Sequence, residues 1–134
     1  MPYISLTRLR LRSAWYLPKF FWHAIRSNAQ ARKAPGSLGV ELFNDAKLAF
    51  WTKSAWEDEA SMRAYMLAGA HRKAMPTLMD MCDEACTAHY VQDGTALPTW
   101  AEAYKWLQES GRASKVRNPS PDHEARRFPP PRGQ

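Results

Sequence analysis

From Tyr3 to Arg12 the chain alternates residue by residue, and after Ser13 the repeat lengthens to three and four. Ile4 and Leu6 share one face with Arg8, Arg10 and Arg12, while Tyr3, Ser5, Thr7, Leu9 and Leu11 share the other. A period of two in β-favouring residues predicts a strand whose two faces both meet something. Leu17, Phe20, Phe21, Ala24, Ile25, Asn28 and Ala31 then recur at helical spacing, with Pro18 in the first turn. Ala34-Pro35-Gly36 stops that helix, because proline cannot continue the hydrogen-bond ladder and glycine tolerates positive φ.

Two further β-rich runs, Leu38–Asn44 and Leu48–Trp56, flank Asn44-Asp45-Ala46-Lys47 and predict a hairpin. A second helix begins after Trp56, with Asp58 as its cap and acidic residues at the positive end of its dipole. A start capped by Ser54 and Glu57 is the alternative. Pro76 should interrupt the helical run beyond it, making His71–Ala85 a separate helical piece. Cys86–Val91 reads as a short strand ended by Gln92-Asp93-Gly94. A last helix, Thr99 to Ser110, carries a Thr99–Glu102 capping box and stops at Gly111.

The order strand, helix, strand, strand, helices, strand is the ferredoxin-like βαββαβ pattern, an α+β fold with an antiparallel sheet and helices on one face. The C-terminal helix is an addition to it. The other sheet face then needs a cover, and apolar residues on both faces of the strands point to a second subunit, a homodimer by two-fold symmetry. Residues 1–111 are expected as the folded domain and 112–134, with five prolines and few apolar residues, as a mobile tail.

At 134 residues one domain with a core is expected, and no apolar run reaches the ~20 residues a membrane span needs. The N-terminal MPYISLTRLRLR lacks the apolar segment of a signal peptide, so a cytoplasmic protein is expected. Of the net charge of +6, the tail supplies +4 through Arg112, Lys115, Arg117, Arg126, Arg127 and Arg132 against Asp122 and Glu124. The basicity thus belongs to the tail rather than to a nucleic-acid-binding face, and no specific nucleic-acid partner is expected. Cys82 and Cys86, four apart in a helical pattern, read as core residues rather than as a zinc site, which wants four ligands. Patterns for nucleotide cofactors, zinc hydrolysis and serine nucleophiles (GxGxxG, P-loop, HExxH, GxSxG) are absent.

The stretch FWTKSAWEDEASMRAYMLAGAHRKAM, Phe50–Met75, concentrates the candidate chemistry. His71 is the candidate catalytic acid/base or axial metal ligand, since imidazole changes charge near neutral pH. Tyr65 is the second catalytic candidate. Trp51 and Trp56 are large enough to line a pocket for a flat substrate, or equally to fill a core. Arg8 and Arg10 could hold a carboxylate through bidentate contacts, or remain rim charges. His23 and His89 read as packed or surface histidines, and the methionines from Met62 to Met81 as pliable packing.

The opening ISLTRLRLRS, the helix end RKAPG, the strand FWTKSAW and the helix running to AGAHRKAM together resemble the antibiotic-biosynthesis-monooxygenase-like proteins of the dimeric α/β-barrel superfamily, most of all the branch around spheroidene monooxygenase. The resemblance covers Tyr3 to Val91. It implies a homodimer with facing sheets, each subunit keeping a pocket between sheet and helices. Members include cofactor-free oxygenases, oxygenases that use haem, haem-degrading enzymes, isomerases and decarboxylases, so the fold alone leaves the reaction open. Set on the haem-degrading branch, the functional Asn, Trp and His fall at Thr7, Tyr65 and His71, and only the histidine is kept. Haem breakdown is therefore not expected, whereas haem ligation by His71, with Arg8 or Arg10 at a propionate, stays open. Thr7 joins the substrate-binding candidates by this alignment.

Two functions are expected. One is a monooxygenase-like oxidoreductase acting on a lipophilic or aromatic small molecule, with His71 ligating haem or, without a cofactor, moving a proton. The other is a non-enzymatic binding module whose basic tail docks on a partner; a cofactor-free isomerase or lyase of the same fold is not separable from the first by sequence.

Overall fold

The structure, a computed structural model, describes residues 1–123 and 127–131. Four long strands and four helices come in the order β1 (Tyr3–Leu11), α1 (Leu17–Lys33), β2 (Ser37–Asn44), β3 (Ala49–Trp56), α2 (Glu59–Met66), α3 (Gly69–Met81), β4 (Cys82–Val91) and α4 (Trp100–Ser110). A two-residue strand, β5 (Arg112–Ala113), completes an antiparallel sheet in the order β2-β3-β1-β4-β5. The ferredoxin-like α+β architecture is as the periodicity requires. Among the described residues no helix is long and apolar enough to cross a membrane.

The local signals act as read. Asp58 caps α2 by accepting the Ser61 amide at 2.8 Å, and Thr99 and Glu102 form a reciprocal capping box on α4. Gly36 turns the chain out of α1 at φ +85°, where a Cβ would collide with the Ser61 side chain. The break between α2 and α3 falls earlier than Pro76, at Leu67-Ala68, and Gly69 takes φ +55°. Pro76 sits exposed inside α3, where water can reach the carbonyl it leaves without a donor.

Residues 82–85, expected to be helical, instead begin β4. Their pairing is secured from β1, where Arg8 and Arg10 meet Glu84 and Asp83. A shift of register between Arg10 and Leu11 turns Cys82 towards α1 and α3, while Cys86 faces the opposite side of the sheet. The two cysteines therefore do not share the helix face their spacing suggested.

Strand parity divides the core. One face, carrying Ser5, Thr7 and Leu9, lies beneath α1, α2 and α3. The other carries Ile4, Leu6, Trp51, Ala55, Cys86 and Ala88, and is covered by Ala103 and Leu107 of α4 together with Tyr104 and Phe128. The face that called for a second subunit is thus roofed by the chain itself. The segment after Arg112, expected from composition to be mobile, is seated along β4. The Ser114, Arg117 and Ser120 amides donate to the carbonyls of Ala85, Met79 and Asp83 at 2.8–3.0 Å. Glu124, Arg126 and Arg132 of that basic stretch lie outside the described residues.

Candidate functional site

The layer between sheet and helices is not continuously packed. One cluster (Leu11, Phe20, Phe50, Met81, Cys82) fills one end and another (Ala31, Val40, Trp56, Met62) the other. Between them lies a cavity of about 310 Å³, at the small end of ligand-pocket sizes. Its floor is the sheet. Thr7 pairs with Thr52 on β3 and Thr87 on β4, giving three threonines in one cross-strand row, and the next row is Ser54, Ser5 and His89. The threonines and serines are too short to reach the helices, which leaves the gap and lines it with hydroxyls. Most of the roof is apolar, from Ala24, Met66, Ala74, Met75 and Leu78, with His23, Asn28 and His71 among it. Leu42 on the edge strand β2 and Met75 on α3 line the cavity and are themselves exposed, so it opens to the surface there.

His71, Tyr65 and Trp56 form one wall. The Tyr65 ring stacks on Trp56 with centroids 5.1 Å apart, and His71 lies 4.8 Å from Tyr65. Gln30 fixes the corner: its Oε1 accepts the His71 amide at 2.9 Å and its Nε2 donates to Ala68 O at 2.8 Å. His71 Nδ1 stands 3.2 Å from Met66 O. A carbonyl only accepts, so Nδ1 carries the proton and Nε2 is the basic nitrogen. Burial pulls the His71 pKa down, opposed by that hydrogen bond, and the ring is neutral at pH 7. Tyr65 donates to Ser27 O at 3.1 Å, and burial drives its pKa far above the usual tyrosine value. Its hydroxyl is a protonated strut rather than a base. Trp56 donates to Ser54 Oγ at 2.9 Å.

Asn28 on α1 and Thr52, Ser54 and Thr87 on the floor are lining residues that the sequence did not single out, and His23 and His89, read there as packed or surface histidines, line the cavity too. Asn28 Oδ1 is buried without a hydrogen-bond partner, which is rare for an interior acceptor. Burial first, then Lys19 and Arg26, lowers the His23 pKa. The alternating hydroxyls of Ser5-x-Thr7 and Thr52-x-Ser54 were the available signal, since strand positions facing a packed helix layer normally carry larger apolar groups.

Thr7, Trp56, Tyr65 and His71 therefore meet at the cavity, and Trp51, Arg8 and Arg10 do not. Trp51 lies five residues before Trp56, an odd interval that sends it to the opposite face, where its indole N–H donates to Asp45 at 2.9 Å. Arg8, 4% exposed, is paired there with Glu84 at 2.8 Å and stacked over Phe128. Arg10 holds Asp83 through two bonds of 3.1 and 2.7 Å.

That placement bears on haem. The arginines expected at its propionates lie across the sheet in ion pairs, and Lys115 is the one Lys or Arg lining the cavity among the described residues. No cluster of three or more His, Cys, Asp or Glu that could hold a metal ion occurs among the described residues. With its expected propionate partners across the sheet, haem finds no support at this cavity beyond His71 itself, and no chemical step is derived through it.

Sheet, helices and cavity together define a ferredoxin-like α+β protein with a cavity between its layers. This is the fold of the antibiotic-biosynthesis-monooxygenase-like proteins. A candidate antibiotic biosynthesis monooxygenase from Nitrosomonas europaea superposes with a TM-score of 0.61 at 14% identity, covering 68% of this chain and 89% of that one. SnoaB, a cofactor-independent oxygenase from Streptomyces nogalater, gives 0.58 at 13%, covering 69% and 94%. A conserved protein from Methanosarcina mazei Go1 gives 0.62 at 12%, covering 69% and 94%. Identities this low establish the fold and do not single out the branch around spheroidene monooxygenase. No family model matches the sequence, and no curated protein matches it.

Proposed function

We propose that the chain is a small-molecule monooxygenase that works without a cofactor on a lipophilic or aromatic substrate held in the cavity. The observation that carries this is His71: a neutral imidazole, fixed as the Nδ1–H tautomer by Met66 O, beside the aromatic wall of a mostly apolar cavity. The likeness to SnoaB supports the same reading.

In this scheme the substrate lies against Tyr65 and Trp56 with its polar edge on the threonine row, and a hydroxyl or N–H donates to Asn28 Oδ1. His71 Nε2 removes a proton from an electron-rich CH₂ group, leaving an anion that gives its electrons to O2. A carbon–oxygen bond forms, and reprotonation yields a hydroperoxide. Loss of the second hydrogen from the same carbon, with cleavage of the O–O bond, leaves a carbonyl and releases water. One oxygen atom of O2 enters the product and the other leaves as water, so no external reductant is consumed. Tyr65 orients the imidazole through ring contact and does not exchange its proton. A homodimer, as the resemblance implies, would need a surface other than the sheet face under α4.

The test is oxygen uptake by metal-free protein with a panel of hydroxylated polycyclic aromatics, using ¹⁸O₂ to follow the atoms. Label in product and water, with His71→Gln slowing turnover at least about 100-fold, is the expected result. Turnover that persists without oxygen would replace this reading by an isomerase or lyase. Saturable binding without any turnover would replace it by a binding module.

A further inference from the structure

The outer face of α1 is unlike the rest of the surface. Trp15 just before the helix is 86% exposed, Trp22 59% and Ile25 66%, and Phe21 is also exposed. Lys19, Arg26, Arg32 and Lys33 are exposed on the same helix, and the Arg26 guanidinium lies 5.2 Å from the Trp22 ring centroid. Between Leu11 and Val40 the sequence has no Asp or Glu. At 100° per residue, Lys33, Arg26 and Lys19 fall within about 60° on one side of Trp22, while Ile25 and Phe21 fall on the other. Over Lys19–Arg26 apolar side chains and cations thus occupy adjacent stripes of one ridge, with an indole at the boundary, and Arg32 adds a cation near the helix end in line with Ile25.

We propose that α1 docks this ridge on an anionic lipid surface. A helix lying in a membrane interface has an apolar stripe that enters the headgroup boundary and Lys/Arg that meet anionic lipid, with Trp favoured at the dividing plane. A second copy of the chain is disfavoured as occupant, because two-fold pairing would bring two sets of these cations together with no acidic residue on the helix to offset them. Ile25 and Phe21 hydrate poorly and offer nothing to a phosphate backbone, which sets the ridge apart from a nucleic-acid site. The ridge also adjoins the cavity: Ala24, one turn after Phe21, and Asn28, one turn after Ile25, line it, and its opening passes the exposed Leu42. A lipophilic compound dissolved in the membrane would reach the opening without crossing water. The docking itself does not depend on the chemistry proposed for the cavity.

The experiment is co-sedimentation of the full chain with phosphatidylcholine vesicles, with and without phosphatidylglycerol, across a salt series. Two variants are compared, Trp22→Ser/Ile25→Ser and Lys19→Glu/Arg26→Glu. All four residues lie outside the cavity lining, and unchanged circular dichroism and melting temperature certify their folds. Binding only to anionic vesicles, weakened by salt and reduced at least roughly tenfold in both variants, is expected. Binding that survives both variants would assign the docking to the C-terminal cations and overturn the proposal. Absence of vesicle binding, tighter binding of poly-glutamate or an oligonucleotide, or self-association abolished by Trp22→Ser would overturn it as well.

Discussion

In the proposed reaction His71 acts as a base only while it is neutral, and its surroundings favour that form. Burial lowers its pKa below the ordinary 6.5, with the Met66 carbonyl pulling the other way. The rate should therefore rise with pH along an acid limb below 6.5 and be level through neutrality. A pH profile of kcat/KM with the native substrate checks this, and His71→Gln should remove the limb. The same shift has a stability consequence. A group whose folded pKa is depressed contributes stability that is present above the unfolded pKa and lost as pH falls through the folded one. Burial also lowers the pKa values of His23 and His89, so melting temperature should drop as pH falls below 6.5, and less steeply in His71→Gln. Asn28 presents the converse case, an acceptor kept unpaired inside the fold. Asn28→Leu should raise stability by about 1 kcal/mol, since an unsatisfied buried polar group costs on the order of 1–3, while weakening substrate binding. A calorimetric melt paired with a KM measurement separates the two effects. His71 was legible as a candidate because few side chains titrate near neutrality. Asn28 was not, because on a helix wheel it counts as one more member of the inward stripe.

Most elements obeyed their local signals where the deciding interaction was local, Pro76 inside α3 being the exception. Strand β1, helix α1, the β2–β3 hairpin, the Asp58 cap and the Thr99 capping box are written within a few residues of where they act. Gly36 belongs with them: at φ +85° against Ser61, Gly36→Ala should cost about 2 kcal/mol, measurable by chemical denaturation. The start of β4 was misread because its deciding contacts lie far away in sequence. Cys82-Asp83-Glu84-Ala85 has helical spacing, and distant partners make it a strand: the β1 ladder with the Arg8 and Arg10 ion pairs, more than seventy residues earlier, and the Ser114 and Ser120 amides. Burial alone would raise the Glu84 pKa, but hydrogen bonds from Arg8 and Ser120 and the charges of Arg8 and Arg10 hold it below the ordinary value. This pair should stabilise the fold above the unfolded glutamate pKa and lose that contribution as pH falls through the folded one. Arg8→Ala removes the nearest partner of Glu84 while Arg10 and Ser120 remain, and should cost about 2–3 kcal/mol. Because Arg8 lies on the face away from the cavity, the variant should bind the small-molecule ligand as the wild type does. Parity would have predicted that separation: Thr7 and Arg8 are neighbours, and neighbours on a strand face opposite ways.

For the whole molecule, the question is what covers the second face of the sheet. Neighbours of this fold match about two thirds of the chain while being covered almost entirely, and Tyr3–Val91 is itself about two thirds of it. The remainder holds α4 and the segment that runs back along β4. Ile4, Leu6, Trp51 and Ala55 are fully buried within this single chain, beneath Ala103 and Leu107. Lys53 is closed in by the same cover, donating to Pro98 O at 2.6 Å and pairing with Glu41 at 3.0 Å. A sheet-to-sheet homodimer would first have to lift α4, exposing side chains such as Trp51 and Leu107, each worth about 1.5–3 kcal/mol in burial. It would also separate Phe128 from Arg8 and Ser120 from Glu84. A partner sheet would have to return all of that and meet the entropic cost of association besides, whereas α4 is tethered to β4 by a short loop. We therefore expect the full chain to sediment as a 15.3 kDa monomer at micromolar concentration. Leu107→Asp, placed where α4 meets the sheet, should loosen the cover and promote self-association. A stable wild-type dimer whose assembly slows hydrogen exchange in α4 would place the contact outside the covered face. A dimer that leaves α4 exchanging freely would show that the partner had displaced it and that α4 does not serve as the sheet's own cover.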